Sequence, residues 1–70
     1  MDNPMQAERM LKFFRYEHLR ADLKEVSIPF AQMAARIVDR VPAGPERTVC
    51  LRKLLESKDA AVRAVAIPEE

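Results

Sequence analysis

The segment Val41-Pro42-Ala43-Gly44-Pro45-Glu46-Arg47 constrains this chain more than any other. Two prolines and the only glycine fall within four consecutive positions, and an α-helix does not run through such a stretch. On both sides the apolar residues keep helical spacing. Upstream they recur at Leu23, Val26, Phe30, Met33, Ala34, Ile37, Val38 and Val41, and downstream at Leu51, Leu54, Leu55, Ala61, Val62 and Val65. Steps of three and four put each set on one helical face. A short turn between two amphipathic helices makes them antiparallel. The expected fold is therefore all-α: a short N-terminal helix followed by an antiparallel helical hairpin, one domain over residues 1–70, assembled as a homo-oligomer.

Local signals set the boundaries. Asp2 or Asn3 caps a first helix with Pro4 at its first position, and Met5, Met10, Leu11, Phe13 and Phe14 give it apolar contacts up to its end near Phe14. Arg15-Tyr16-Glu17-His18 reads as an irregular connector. The second helix is expected from about Arg20 to Arg40. Pro29 lies inside it, and the unbroken apolar spacing across Pro29 predicts one kinked helix rather than two pieces with Ser27 capping the second. Gly44 and Pro45 open the third helix, expected from Pro45 to about Ala66, with Glu46 against its N-terminal dipole and Pro68 closing it. Val49, Cys50, Ala60 and Ala64 lie partly off its main apolar face, which a second buried face between subunits would explain.

Composition points the same way. Seventy residues make a marginal core. One cysteine excludes an intrachain disulfide, and one cysteine with one histidine cannot build a zinc site. Yet 49% of the residues are hydrophobic, and subunit association is the expected outlet for that surface. The net charge of +1 hides an asymmetry: all twelve basic residues lie between Arg9 and Arg63, with only seven of the eleven acids. A basic body of this kind suits an anionic ligand. Asp2, Glu8 and Arg9 stand where a signal peptide would need an apolar core, and no apolar run approaches membrane-spanning length. A lone Cys50 fits a reducing compartment. The expectation is a cytoplasmic protein with no metal, no cofactor and no membrane partner.

Catalytic chemistry is poorly represented. Cys50 and His18 could be paired as nucleophile and base, but Cys50 reads as a small buried hydrophobe in mid-helix. The carboxylates are scattered, and one glycine cannot make a phosphate loop. Two clusters carry binding chemistry instead. In Phe14-Arg15-Tyr16-Glu17-His18, aromatic faces, a cation and an imidazole share a short connector; aromatic planes stack on nucleobases and nearby cations meet phosphates. Taken alone, packing is the commoner duty for Phe14, Tyr16 and His18. In Glu46-Arg47-Thr48, continuing to Arg52, Lys53 and Arg63, the first-turn N–H groups and the cations both favour anions. Against that, Arg52–Glu56 and Asp59–Arg63 are spaced for ion pairs within the helix.

Together these clusters resemble a small phage family, the anti-CBASS sponges, whose helical-hairpin domain is shared with an anti-Thoeris sponge. The matching residues are Phe14-Arg15-Tyr16-Glu17-His18, Val41-Pro42-Ala43-Gly44, Glu46-Arg47-Thr48, Leu51, Lys53-Leu54 and the small residues Ala60, Ala61 and Ala64, within about residues 13–66. The resemblance implies a protein that is not an enzyme. It would bind cyclic di- or trinucleotide messengers of bacterial immune synthases in the host cell cytoplasm and withhold them from the effector, as a hexamer with pockets between protomers. In that reading Tyr16, helped by Phe14, stacks a base. Lys24, Arg47, Arg52 or Arg63 meets phosphates, Thr48 accompanies Arg47, and His18 touches the ligand or pins the connector.

The chain also departs from the family. Relatives often carry a Trp-Ala-Asn-Ala-Ala-Ile run near the C-terminus, where this chain has Ala60-Ala61-Val62-Arg63-Ala64-Val65. They tend to have a basic residue near the position of Ser27, for which Lys24 is the nearest cation here. Three other functions compete: a sponge for a cyclised ADP-ribose signal, a small helical DNA-binding or regulatory protein, and a purely structural interaction module. A tight turn and the acids Glu46, Glu56 and Asp59 on the third helix argue against a DNA-recognition helix.

Overall fold

The computed structural model describes residues 10–67. A 3-10 turn, η1 (Lys12–Phe14), leads through an irregular segment into α1 (Ala21–Arg40), and α2 (Pro45–Ala66) returns alongside it. The hairpin expected from the central turn is present. The start of the expected N-terminal helix, from Asp2 to Met5, lies outside the described residues, as does Pro68. What is described of that helix is its end: Met10 and Leu11 are helical, and the chain tightens into η1 before Arg15 turns extended.

Pro29 lies within a single continuous α1. Its ring removes the N–H that would bond the Glu25 carbonyl. Both residues lie on the exposed side of the helix, where water can serve that carbonyl. At the start of α1, Arg20 provides no side-chain cap. Asp22 takes over part of that role: its Oδ1 accepts the Leu23 N–H at 2.9 Å and the Arg20 Nε–H at 2.8 Å. Because Asp22 lies in the first turn, its charge also favours the helix dipole.

At the other end of α1 the Val41 N–H reaches back to the Ile37 carbonyl at 2.9 Å, and Pro42 stops further winding. Gly44 then precedes α2 with Pro45 in its first turn. The Gly44 carbonyl accepts both the Thr48 N–H at 3.2 Å and the Thr48 hydroxyl at 3.4 Å. Gly44 itself is extended, with φ 163°, and a Cβ placed there would meet nothing within 4 Å. The turn thus depends on its prolines more than on its glycine.

The core is small and belongs to all three elements. Phe14 of η1 is 2% exposed, and Ala34 of α1 and Leu51 of α2 are fully buried. Met10, Leu11, Phe30, Ala31, Ile37, Val38, Leu54 and Leu55 pack around them, each half-buried. The small Ala34 opposite the large Leu51 and Phe14 lets the three elements approach closely. Burying Leu51 and Phe14 is worth about 1.5–3 kcal/mol each.

One charged side chain joins this core. Arg47 is 6% exposed, and its NH1 donates to the Val41 carbonyl at 2.9 Å and the Val38 carbonyl at 3.2 Å. A helix leaves its last carbonyls without internal donors, and a cation there also meets the negative end of its dipole. Arg47 therefore ties the beginning of α2 to the end of α1. Further along the hairpin, Ala34 and Leu51 share the core.

Candidate ligand-binding surface

The expected site residues divide between the two ends of the hairpin. Arg47 and Thr48 belong to the loop end, and the structure gives both of them internal bonds. Arg47 has its NH1 on two carbonyls and is covered from solvent, so the reading of it as a phosphate contact gives way to a structural one. The Thr48 hydroxyl is held by Gly44. Phe14 is likewise spent. It fills the core between α1 and α2, so its ring offers no face to a base.

The connector behaves differently. The exposed aromatic of the adjacent pair is Phe13, 53% exposed, with the Lys12 ammonium 5.6 Å from its ring centroid. Attraction between a cation and a ring face of this kind is modest at an exposed site. Successive residues of a 3-10 turn point to different sides, so one phenylalanine enters the core and the other is left outside. The sequence carries two adjacent phenylalanines and no signal for which one faces inward. Tyr16 is half-buried at the start of a turn closed by the Leu19 N–H on its carbonyl at 3.0 Å. His18, within that turn, is exposed. Lys24 stands in the first part of α1, half-buried.

On α2, Arg52 and Arg63 are exposed. The ion pairs that could have occupied them are not formed. Among the described residues the ion pairs are Arg20–Asp22 at 2.8 Å and Lys58–Asp59 at 3.1 Å. Asp59 has turned to its neighbour rather than to Arg63, and Arg52 is not bonded to Glu56. Both guanidinium groups are left available. They are eleven residues apart on one helix, about 16 Å along its axis at 1.5 Å per residue, so they serve separate positions. Arg63 has the better surroundings: with Ala60, Ala64 and Ile67 it lines an open groove of about 590 Å³. That is within the size range of small-molecule sites, about 300–1,000 Å³. The two alanines keep the groove floor low, and Ile67, 70% exposed, supplies an apolar edge.

Two sequence readings change here. Cys50, expected to be a buried hydrophobe, is an exposed free thiol. The off-face residues Ala60 and Ala64 are also exposed, and Val49 is half-buried, so a single chain gives them no second buried face. Among the described residues no cluster of three or more histidine, cysteine, aspartate or glutamate side chains is placed to hold a metal, and no helix is long and apolar enough to cross a membrane. Comparison with known proteins returned no matching family model, no matching curated protein and no matching solved structure.

Proposed function

We propose that this protein is a homo-oligomeric sponge: it binds cyclic di- or trinucleotides without cleaving them and so blocks a CBASS-type immune effector of the phage's host. The observation that carries this reading is Arg63, an unpaired cation at the edge of an apolar groove at the open end of the hairpin. The connector holding Tyr16 and His18 leads into α1 at that same end, because α1 begins where α2 finishes. A base lying on the Ala60–Ala64 floor, or stacked on Tyr16, would bring its phosphates to Arg63 and Lys24. One open groove does not enclose a nucleotide. In this reading a neighbouring protomer closes it, which is also what the resemblance implies.

The test is titration of the oligomer with cyclic dinucleotides, cyclic trinucleotides, cyclised ADP-ribose and a DNA duplex, followed by release of the ligand on heating. A sponge retains one of the cyclic compounds and returns it intact. Linear product that grows with protein and time would make the protein an enzyme, and preference for the duplex would move it to the nucleic-acid class. The connector has its own measure. If Tyr16 stacks on a base, Tyr16→Ala weakens binding by about 1–3 kcal/mol, roughly 5- to 150-fold, with oligomeric mass and helicity unchanged. Parent-like binding by such an intact variant would leave Tyr16 a packing residue.

A further inference from the structure

We propose that Lys12, Phe13 and Arg15 form a nucleotide-binding position of their own, which takes the base of a nucleotide on the Phe13 ring and its phosphate on the two cations. The position is separate from the Arg63 groove, and it does not rest on the reading of that groove.

The turn itself assembles these groups. The Arg15 N–H closes η1 on the Lys12 carbonyl at 3.3 Å. Such a closure holds the two Cα atoms within about 7 Å of each other, and residues three apart in a 3-10 turn lie one above the other. Lys12 and Arg15 are therefore neighbours, and both are exposed. Among the described residues neither enters an ion pair, since the pairs formed are Arg20–Asp22 and Lys58–Asp59. The core side of η1 is taken by Phe14, 2% exposed, which leaves the Phe13 ring outside and 53% exposed. An aromatic face and two cations without an acid thus share one short turn.

The surroundings say what fits. The other large hydrophobics exposed among the described residues, Met33, Val41, Val65 and Ile67, are all aliphatic. Phe13 presents a flat ring, and the Lys12 ammonium lies over it, 5.6 Å from the centroid. An aliphatic partner would cover the ring and bring nothing to the cations. An anion without a plane would meet the cations and leave the ring in water. A nucleotide answers both needs. Its base stacks on an aromatic face whatever the base is, and its phosphate accepts charge-assisted hydrogen bonds from Lys and Arg. The ammonium–ring attraction is modest at an exposed site, so Lys12 gives up little when it turns from the ring to a phosphate. Distance separates this position from the groove. Phe14, the next residue, shares the core with Leu51. Arg63 lies twelve residues beyond Leu51, about 18 Å along α2 at 1.5 Å per residue. One small ligand on one chain does not reach both.

The experiment uses the full chain and three probes: adenosine monophosphate, a linear diadenylate and a cyclic diadenylate. Each is titrated by NMR into the parent, Phe13→Leu, Phe13→Trp, the double variant Lys12→Gln with Arg15→Gln, and Arg63→Gln. The altered positions are all exposed, and circular dichroism checks helicity. In the parent, stacking moves the base protons and the Phe13 ring protons upfield together. Phe13→Leu, which keeps apolar bulk and loses the plane, weakens binding by about 5- to 150-fold, the range of one stacked base, while Phe13→Trp keeps it. The double variant binds more weakly and with less dependence on salt. Arg63→Gln leaves the Phe13 response as in the parent. A preference among the three probes names the source of the nucleotide and supports the position in each case. The proposal is overturned if no probe moves the Phe13 ring protons up to about 10 mM, if Phe13→Leu binds like the parent, or if Arg63→Gln abolishes the response at Phe13. The cyclic probe keeps the two sites apart. Binding that Arg63→Gln loses and Phe13→Leu retains upholds the groove and sinks this position, and the reverse upholds this position and sinks the groove.

Discussion

The two ends of the hairpin are built to different standards. At the loop end Arg47 serves two carbonyls through NH1 although its buried Nε has no partner, Thr48 serves Gly44, and Phe14, Ala34 and Leu51 form the core. At the open end no buried polar side chain among the described residues is bonded across the helices. Ser27 is fully buried, and its hydroxyl has no partner. On α2, Lys58 has a side chain only 12% exposed and gives its amine to the adjacent Asp59. Beyond that point Arg63, Val65 and Ile67 face solvent. The contrast separates what holds the hairpin from what the hairpin presents. The core residues lie nearer the turn, and Arg63, Val65 and Ile67 are exposed at the free end.

The largest expected effect is at Leu51. Truncation to alanine removes three carbons from the core shared by η1, α1 and α2, and such changes cost about 2–5 kcal/mol. In a chain this small the loss should unfold much of the population, read as lost helicity. Val65→Ala, at the open end and 36% exposed, should change stability by less than about 0.5 kcal/mol. Equal losses at the two positions would erase the distinction between the ends.

Arg47→Met comes next. The variant keeps the aliphatic stem and deletes the donors to Val38 and Val41. Hydrogen bonds from a charged donor are worth about 1.5–3 kcal/mol, and urea unfolding should show a loss of that size. The effect should be nearly independent of salt, because the guanidinium is covered. Arg47→Lys should recover much of it, because both bonds come from one nitrogen, NH1, and a lysine ammonium can also donate to two carbonyls. A surface-like loss below about 0.5 kcal/mol would mean that the turn prolines alone hold the register.

Ser27→Ala carries the opposite sign. A buried hydroxyl without a partner costs about 1–3 kcal/mol of desolvation, and alanine has nearly the same volume and a better helix propensity. The variant should be more stable by about 1 kcal/mol, measured as a higher denaturation midpoint with an unchanged slope. A less stable variant would show that the hydroxyl finds a partner in the assembled protein.

The hairpin was legible in the sequence because its signals are local and periodic. Pro42, Pro45 and the three-and-four spacing of Leu23–Val41 and Leu51–Val65 fix both helices to within a residue of their observed ends. The site was less legible, because whether a cation is used or free depends on tertiary register. Arg47, Arg52 and Arg63 look alike along the helix. Only the level of Val38 and Val41 shows that the first is consumed while the other two project. Cys50 misled for the same reason: it stands one position from the buried Leu51, close enough to the apolar stripe to read as part of it, yet it is exposed.

The smallest expected effect tests the open end by titration. The hydrogen bond from Arg20 holds the Asp22 carboxyl below its ordinary value; desolvation opposes it, and the Leu23 N–H and the Arg20 charge add to the lowering. A group whose value is lowered on folding stabilises the folded state above its unfolded value and loses that contribution as pH falls through the folded one. The loss should therefore begin near 3.8, the ordinary value, and continue below it. Both partners are more than half exposed, with side chains at 61% and 51%, so solvent and salt screen the interaction and the step should be slight. Asp22→Asn keeps an acceptor for the Leu23 N–H while removing the titrating charge. The difference between parent and variant stability, followed from pH 6 to about pH 3 at fixed protein concentration, should shrink as Asp22 is protonated and should already be reduced at high salt. A difference that stays flat across that range would show that the Arg20–Asp22 contact contributes nothing to the start of α1. The open end would then be held by packing alone, and the contrast with the Arg47-tied loop end would be sharper still.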